Sequence, residues 1–153
     1  MGRSSVIIPP VVVLILFVAI MWYVAVYFPY LNLVYDLHYL IPVLIAIQGF
    51  LLICISSVHF YKYNTTLNPL KPELASTLIK TGLYQYSRNP IYCGLVLILI
   101  GWGVYLLNVA SIFCVILFVS YLNLFQIIPE EKSLAHKFGD EFEMYKRSVN
   151  RWI

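Results

Sequence analysis

An all-α integral membrane fold, with four transmembrane helices, a C-terminal amphipathic helix and both termini cytoplasmic, is predicted by three observations. The 153 residues are 61% hydrophobic and only 11% charged, with a mean hydropathy of +0.84, well away from soluble domains in which about a quarter of residues are charged. Four apolar stretches approach the roughly 20 residues that cross about 30 Å of hydrocarbon. All ten Lys and Arg residues fall in three segments, and with four spans those segments share one side of the membrane.

The first stretch runs from Val6 to Phe28. It is too long for a signal-peptide core and no small-residue cleavage site follows it, so it reads as a structural span. Pro9 and Pro10 belong in its first turns, where a missing N–H costs least. The second stretch is Tyr39 to Phe60, the third Ile91 to Leu107 and the fourth Val109 to Ile128. Only Leu107-Asn108-Val109 separates the last two, which makes them an antiparallel hairpin. Arg3, the segment Lys62 to Arg88 and the segment Lys132 to Arg151 hold every basic side chain. The positive-inside rule therefore places both termini and the long middle loop in the cytoplasm. The chain reads as one membrane domain, residues 1–153, multi-pass, in the plasma membrane if the source is bacterial.

Polar residues concentrate on that face. In the middle loop Asn68-Pro69 and Lys71-Pro72 forbid a continuous helix, and Gly82 offers a backbone free to take positive φ. Asn89 is placed to cap the third helix and Pro90 suits its first position, which holds Arg88 beside a helix N-terminus. Backbone N–H groups and the guanidinium fork there form either an anion site or an anchor for lipid headgroups. Gly94 and Gly101 are seven residues apart on one face, with Gly103 nearby, and serve helix packing or close approach of a ligand. After Asn123 and Gln126 comes Pro129, expected to break or redirect the helix, so that Glu130 and Glu131 open a new one. A carboxylate at the membrane boundary is costly unless paired, which makes it a candidate for binding hydroxyls or amines. Leu134, Phe138, Phe142, Tyr145 and Val149 then recur at spacings of four, four, three and four. That is the stripe of one amphipathic helix, which rests on the membrane or closes over a site.

Cys54, Cys93 and Cys114 have neither metal-ligand nor disulfide-framework spacing and read as small apolar packing residues. His38, His59 and His136 lie in different regions without ligand spacing, and no metal is expected.

Taken in order, Thr81-Gly82-Leu83-Tyr84, Ser87-Arg88-Asn89-Pro90-Ile91-Tyr92-Cys93-Gly94, Glu130-Glu131, Leu134, Phe138-Gly139, Tyr145 and Val149-Asn150-Arg151-Trp152 resemble the isoprenylcysteine carboxyl methyltransferase and phospholipid methyltransferase superfamily. Thr65-Thr66, Asn68-Pro69 and Lys71-Pro72 resemble its bacterial members, so the likeness covers roughly residues 60 to 153. It implies an S-adenosylmethionine-dependent integral membrane methyltransferase, with site segments at about 62–103 and 129–153. The acceptor it implies is lipophilic and membrane-associated, such as a prenylcysteine carboxylate or a phospholipid amine. Partners are membrane lipids and a lipophilic or lipidated substrate, with no nucleic acid. Carried over residue by residue, the cofactor site comprises Thr81, Gly82, Tyr84, Arg88, Asn89, Pro90, Tyr92, Gly94, Gly101, Gly103, Glu130 and Glu131, with Arg88 and Glu131 catalytic. Tyr84 and Tyr92 supply aromatic faces for a sulfonium. Asn89 stands where many eukaryotic members have His and Asn150 where many have Pro, so prenylcysteine specificity is not inherited with the fold. Two rival readings are a non-enzymatic membrane scaffold and a sterol-reductase-like enzyme using a nicotinamide cofactor, for which the chain looks too short.

Overall fold

The computed structural model describes residues 8–33, 39–62 and 76–153. Arg3, His38, Thr65-Thr66, Asn68-Pro69 and Lys71-Pro72 lie outside the described residues. Those described are helices and turns: α1 (Pro10–Tyr27), α2 (Leu40–Lys62), α3 (Pro90–Leu106), α4 (Val109–Tyr121), α5 (Ile128–Phe138) and α6 (Asp140–Ser148). Short 3-10 turns occupy Pro29–Leu31 and Gly82–Gln85. Pro9 and Pro10 sit at the cap and first position of α1, where their fixed φ suits the entry to a helix.

Helices α1 and α2 are each long and apolar enough to cross a membrane, and so is the 30-residue run Val109–Phe138. The fourth, α3, is apolar but shorter, at 17 residues. Many large apolar side chains of α1 and α2 face outward, Ile15, Trp22, Leu44 and Phe50 among them. Such a surface is stable when hydrocarbon is the surrounding solvent.

Of the two outcomes expected at Pro129, breaking or redirecting the helix, the break does not occur. Helices α4 and α5 are continuous through a π-turn at Leu122–Ile127, and the Ile128 N–H bonds the Asn123 carbonyl five residues back. A proline clashes with the carbonyl four residues before it, and the wider turn immediately upstream relieves that crowding. The apolar stretch of this helix ends at Ile128, so Glu130 and Glu131 lie beyond it in the first turn of α5. The expected single amphipathic tail helix is also interrupted. Gly139, at φ +51° and ψ −126°, ends α5 and starts α6 in a conformation that side-chain-bearing residues rarely adopt.

α3 is the centre of the bundle, packed against α1, α2 and α4. Its contact with α2 is made by small residues on both sides. Pro42, Gly49 and Ser56 are the buried residues of α2, and a Cβ added at Gly94 would stand 2.6 Å from the Gly49 carbonyl, while one at Gly101 would stand 2.8 Å from that of Pro42. Backbones approaching this closely are a recurrent means of helix association where apolar burial gives no advantage over lipid. On the opposite flank Leu14, Met21, Leu99 and Phe118 fill the core, and Trp102 Nε1 donates to the Val18 carbonyl at 3.1 Å.

At the end of the bundle away from the acidic pair, a polar clip ties the turn after α1 to the hairpin. Asn108 Nδ2 donates to Asn32 Oδ1 at 2.7 Å, and Asn108 Oδ1 accepts from the Ala110 N–H at 3.0 Å, capping α4. Leu107, at φ +47°, closes α3 in the left-handed region. The hairpin predicted from Leu107-Asn108-Val109 is present.

Candidate functional site

At the other end, α1, α2, α3, α5 and α6 enclose a cavity of about 380 Å³, within the range of small-molecule sites. Its walls have two chemistries. Val11, Ile53 and Leu95 contribute apolar surface from three helices, Arg88, Glu130 and Glu131 form a charged corner, and Tyr84, Tyr92 and Tyr145 line the same cavity.

The charged corner is built across distant segments. Arg88 Nη2 lies 3.0 Å from Glu131, and both side chains are largely enclosed, at 9% and 12% exposure. Arg151 grips the same carboxylate with two prongs, Nε to Oε1 at 3.1 Å and Nη2 to Oε2 at 2.6 Å. Charges at such a depth persist only when paired and hydrogen-bonded, which this arrangement achieves for Glu131. Glu130 is handled differently. The Tyr92 hydroxyl donates to Glu130 Oε1 at 2.6 Å, and burial together with the neighbouring Glu131 pushes its carboxyl up to about 7, against the hydrogen bond that lowers it. Tyr84 and Tyr145 are both pushed above the ordinary tyrosine range, burial being the largest cause in each. Their hydroxyls therefore stay neutral, and Tyr145 donates to the Tyr84 carbonyl at 2.7 Å.

The segment Ser87-Arg88-Asn89 is held by the chain's last residues. The Arg88 N–H donates to the Asn150 carbonyl at 3.0 Å, and the Arg151 carbonyl accepts from Ser87 Oγ at 3.3 Å and Asn89 Nδ2 at 2.9 Å. Asn89 thus occupies the cap position of α3 but, contrary to the sequence expectation, does not cap the helix through its side chain. Its amide is spent on residue 151, and Ser87 Oγ accepts from the Asn89 N–H at 3.1 Å instead. Trp152 Nε1 reaches Asn123 Oδ1 in the π-turn at 3.3 Å, which fastens this terminal stretch to the long helix as well.

Of the residues singled out in the sequence, Tyr84, Arg88, Asn89, Tyr92, Glu130 and Glu131 line the cavity. Thr81 sits at the exposed start of the 3-10 turn. Gly82, at φ +63°, backs directly onto the His59 ring, and His59 Nδ1 is 3.0 Å from the Ile55 carbonyl. Pro90 is buried at the first position of α3. Gly94 and Gly101 face α2, and Gly103 faces Met21 and Ser111. These six lie outside the cavity lining, and the three α3 glycines are occupied in helix contacts. Cys93 sits 3.6 Å from Ser87 Oγ and 3.7 Å from the Trp152 carbonyl, in keeping with a packing role. Two features received no role from the sequence: Arg151 and the apolar side from Ile53. Phe142 and Tyr145, both on the tail stripe, line the cavity, in line with the second of the two roles the stripe allowed.

No group of three or more His, Cys, Asp or Glu that could hold a metal occurs among the described residues.

A family profile described as phospholipid methyltransferase matches residues 37–141, which include most of the cavity. An uncharacterized protein of Haemophilus influenzae is 44% identical over 63 residues, 41% of this chain and all of its own length. The protein-S-isoprenylcysteine O-methyltransferase of Saccharomyces cerevisiae is 38% identical over 82 residues, 52% of this chain and 33% of that enzyme. The chain therefore spans about a third of the yeast enzyme's length in that match. No solved structure matches the chain. With a profile match over more than half of its residues, and the helices and ordered motifs to go with it, the chain belongs to the phospholipid methyltransferase family of membrane methyltransferases.

Proposed function

We propose that the chain is an S-adenosylmethionine-dependent methyltransferase whose acceptor is lipophilic and membrane-associated, a phospholipid amine or a prenylcysteine carboxylate. The observation that carries this reading is the two-sided cavity: a charged corner of Arg88, Glu130 and Glu131 facing an apolar wall of Val11, Ile53 and Leu95. A polar cofactor and a lipid-like acceptor need those two surfaces side by side.

The residues present fit the cofactor. When bound, S-adenosylmethionine supplies a methyl group on an electrophilic sulfonium. Glu130, with one oxygen on Tyr92, has acceptor capacity for an amine or a ribose diol. Arg88 carries a buried Nε–H without a hydrogen-bond partner among the described residues, and its guanidinium suits a ligand carboxylate. Tyr84 and Tyr92 line the cavity as aromatic surfaces that favour a cation.

Placement is the chain's main contribution, since an oriented pair reacts without a covalent protein intermediate. A carboxylate acceptor needs no base. An ammonium acceptor must lose a proton, and Glu130, balanced near neutrality, takes it better than the two tyrosines that are held neutral. Glu131, saturated by two arginines, organises the corner rather than moving protons. In this reading residues 1–153 act as one domain with four spans, and the basic segments face the cytoplasm. The cofactor then arrives from water and the acceptor from the bilayer.

Calorimetric binding of S-adenosylmethionine and S-adenosylhomocysteine to the protein in mild detergent tests the proposal, beside Arg88→Ala and Glu131→Ala variants shown to be folded. Saturable binding that both variants lose is the expected result. A well-folded wild type that binds neither compound overturns it.

A further inference from the structure

We propose that Arg151 is a positioning residue: by occupying Glu131 with a two-pronged contact, it keeps the Arg88 guanidinium from closing onto that carboxylate and leaves Arg88 available to a ligand carboxylate in the cavity. The inference rests on the cofactor reading above. Two guanidinium groups share one carboxylate here, and they do so unequally. Arg151 engages both oxygens, at 3.1 and 2.6 Å, whereas Arg88 makes a single end-on contact at 3.0 Å. The remaining nitrogens of Arg88 are poorly satisfied. Its Nη1 is 3.5 Å from the Lys146 carbonyl, and its Nε is buried without a partner among the described residues.

Position separates the two arginines further. Arg88 lines the cavity and Arg151 does not, and the Arg151 side chain is 33% exposed against 9% for Arg88. Two positive charges and one negative charge leave the trio with a net charge of about +1, set against whatever Arg88 faces. Without Arg151, Arg88 and Glu131 are free to form the fork-to-fork pair that is the stronger geometry, and the trio's surplus charge is gone. The Arg151 main chain reinforces the placement, because its carbonyl holds Ser87 and Asn89, the residues on either side of Arg88.

The test compares two ligands by calorimetry on the whole chain in mild detergent: S-adenosylhomocysteine, which carries the amino-carboxylate, and 5′-methylthioadenosine, which lacks it. Arg151→Ala is expected to weaken S-adenosylhomocysteine about tenfold or more, the equivalent of one charge-assisted hydrogen bond, while 5′-methylthioadenosine changes by less than about twofold. Arg151→Lys, a point charge that cannot supply the fork, is expected to fall between wild type and Arg151→Ala on S-adenosylhomocysteine and to leave the other ligand alone. If Arg151→Ala does not fold, Arg151→Lys carries the comparison. Equal weakening of both ligands, the mark of a structural role, overturns the inference, and so does unchanged S-adenosylhomocysteine binding. A wild type that binds neither ligand overturns the cofactor reading itself, and the inference with it.

Discussion

Replacing Gly49 with Ala tests whether the α2–α3 seam sets the shape of the cavity. A Cβ at that position would stand 2.6 Å from the Gly94 carbonyl oxygen and 3.0 Å from both the Ile98 N and its Cγ1. Two of those three atoms are backbone, so no rotamer change removes the clash. Moving the Cβ out to the 3.4 Å at which ordinary contact begins requires a shift of about 0.8 Å between the helices. Overpacking of this kind costs about 1–3 kcal/mol, and a rigid obstacle belongs at the upper end. The shift acts on α3 close to Tyr92, two residues before Gly94 and hydrogen-bonded to Glu130. Thermal unfolding in detergent is expected to fall by several degrees in Gly49→Ala, with cofactor-analogue binding weakened in parallel. Gly94→Ala behaves similarly, because its Cβ meets the Gly49 carbonyl and Ile53 Cγ1, both at 2.6 Å. Adding Ile53→Ala to Gly94→Ala relieves the side-chain clash but not the backbone one, and is expected to recover only part of the loss. Full recovery in that double variant, or a Gly49→Ala protein as stable as wild type, refutes the argument that backbone contact fixes the helix spacing.

Glu130 gives a pH-dependent outcome. Its carboxyl is raised from the ordinary value of about 4.3 to about 7, so its contribution to stability is full below the unfolded value and is lost as pH rises through about 7. Unfolding temperature measured between pH 5 and 8 is expected to fall more steeply in wild type than in Glu130→Gln, and parallel curves contradict the assignment. Tyr145→Phe leaves the Tyr84 carbonyl without its 2.7 Å donor, and a loss of about 1–2 kcal/mol is expected by denaturation. Gly139→Ala meets no atom within 4 Å, so its cost is one of backbone conformation alone. About 1–3 kcal/mol is expected, with helical content by circular dichroism nearly unchanged.

The apolar helices were legible because such a helix declares itself by length and composition without any need for a periodic pattern. Their observed ends, 10–27, 40–62 and 90–106, fall within a few residues of the apolar stretches. Pro129 misled because the rule that a proline ends a helix assumes α geometry upstream, and nothing in Leu122–Ile127 announces a π-turn. Gly139 was visible inside the tail stripe, yet the stripe's spacing continues across it and conceals the break. Among the cavity's lining residues, Tyr84, Arg88, Tyr92 and the two acids are legible as an ordered set of motifs. Arg151 lies within a motif that assigns it no role, since its partner is twenty residues back and on another element. Gly49 is not legible in the sequence, because a lone glycine in an apolar run carries no sign of the glycine opposite. Gly94 and Gly101 show the converse: their seven-residue spacing allowed either packing or a ligand, and the contact they make is with α2.

The π-turn also sets the rotational phase of everything that follows it. An α-helix advances about 100° per residue, so accommodating one residue in a wider turn offsets the acidic end of the long rod from its apolar portion by about that angle. The apolar half of the rod and its carboxylate-bearing half are therefore two separately indexed faces joined at the π-turn. Sequence drift in the apolar half leaves the bearing of Glu130 and Glu131 intact, whereas removal of a single residue between Leu122 and Ile127 would swing both carboxylates away from Arg88 and Tyr92 at once.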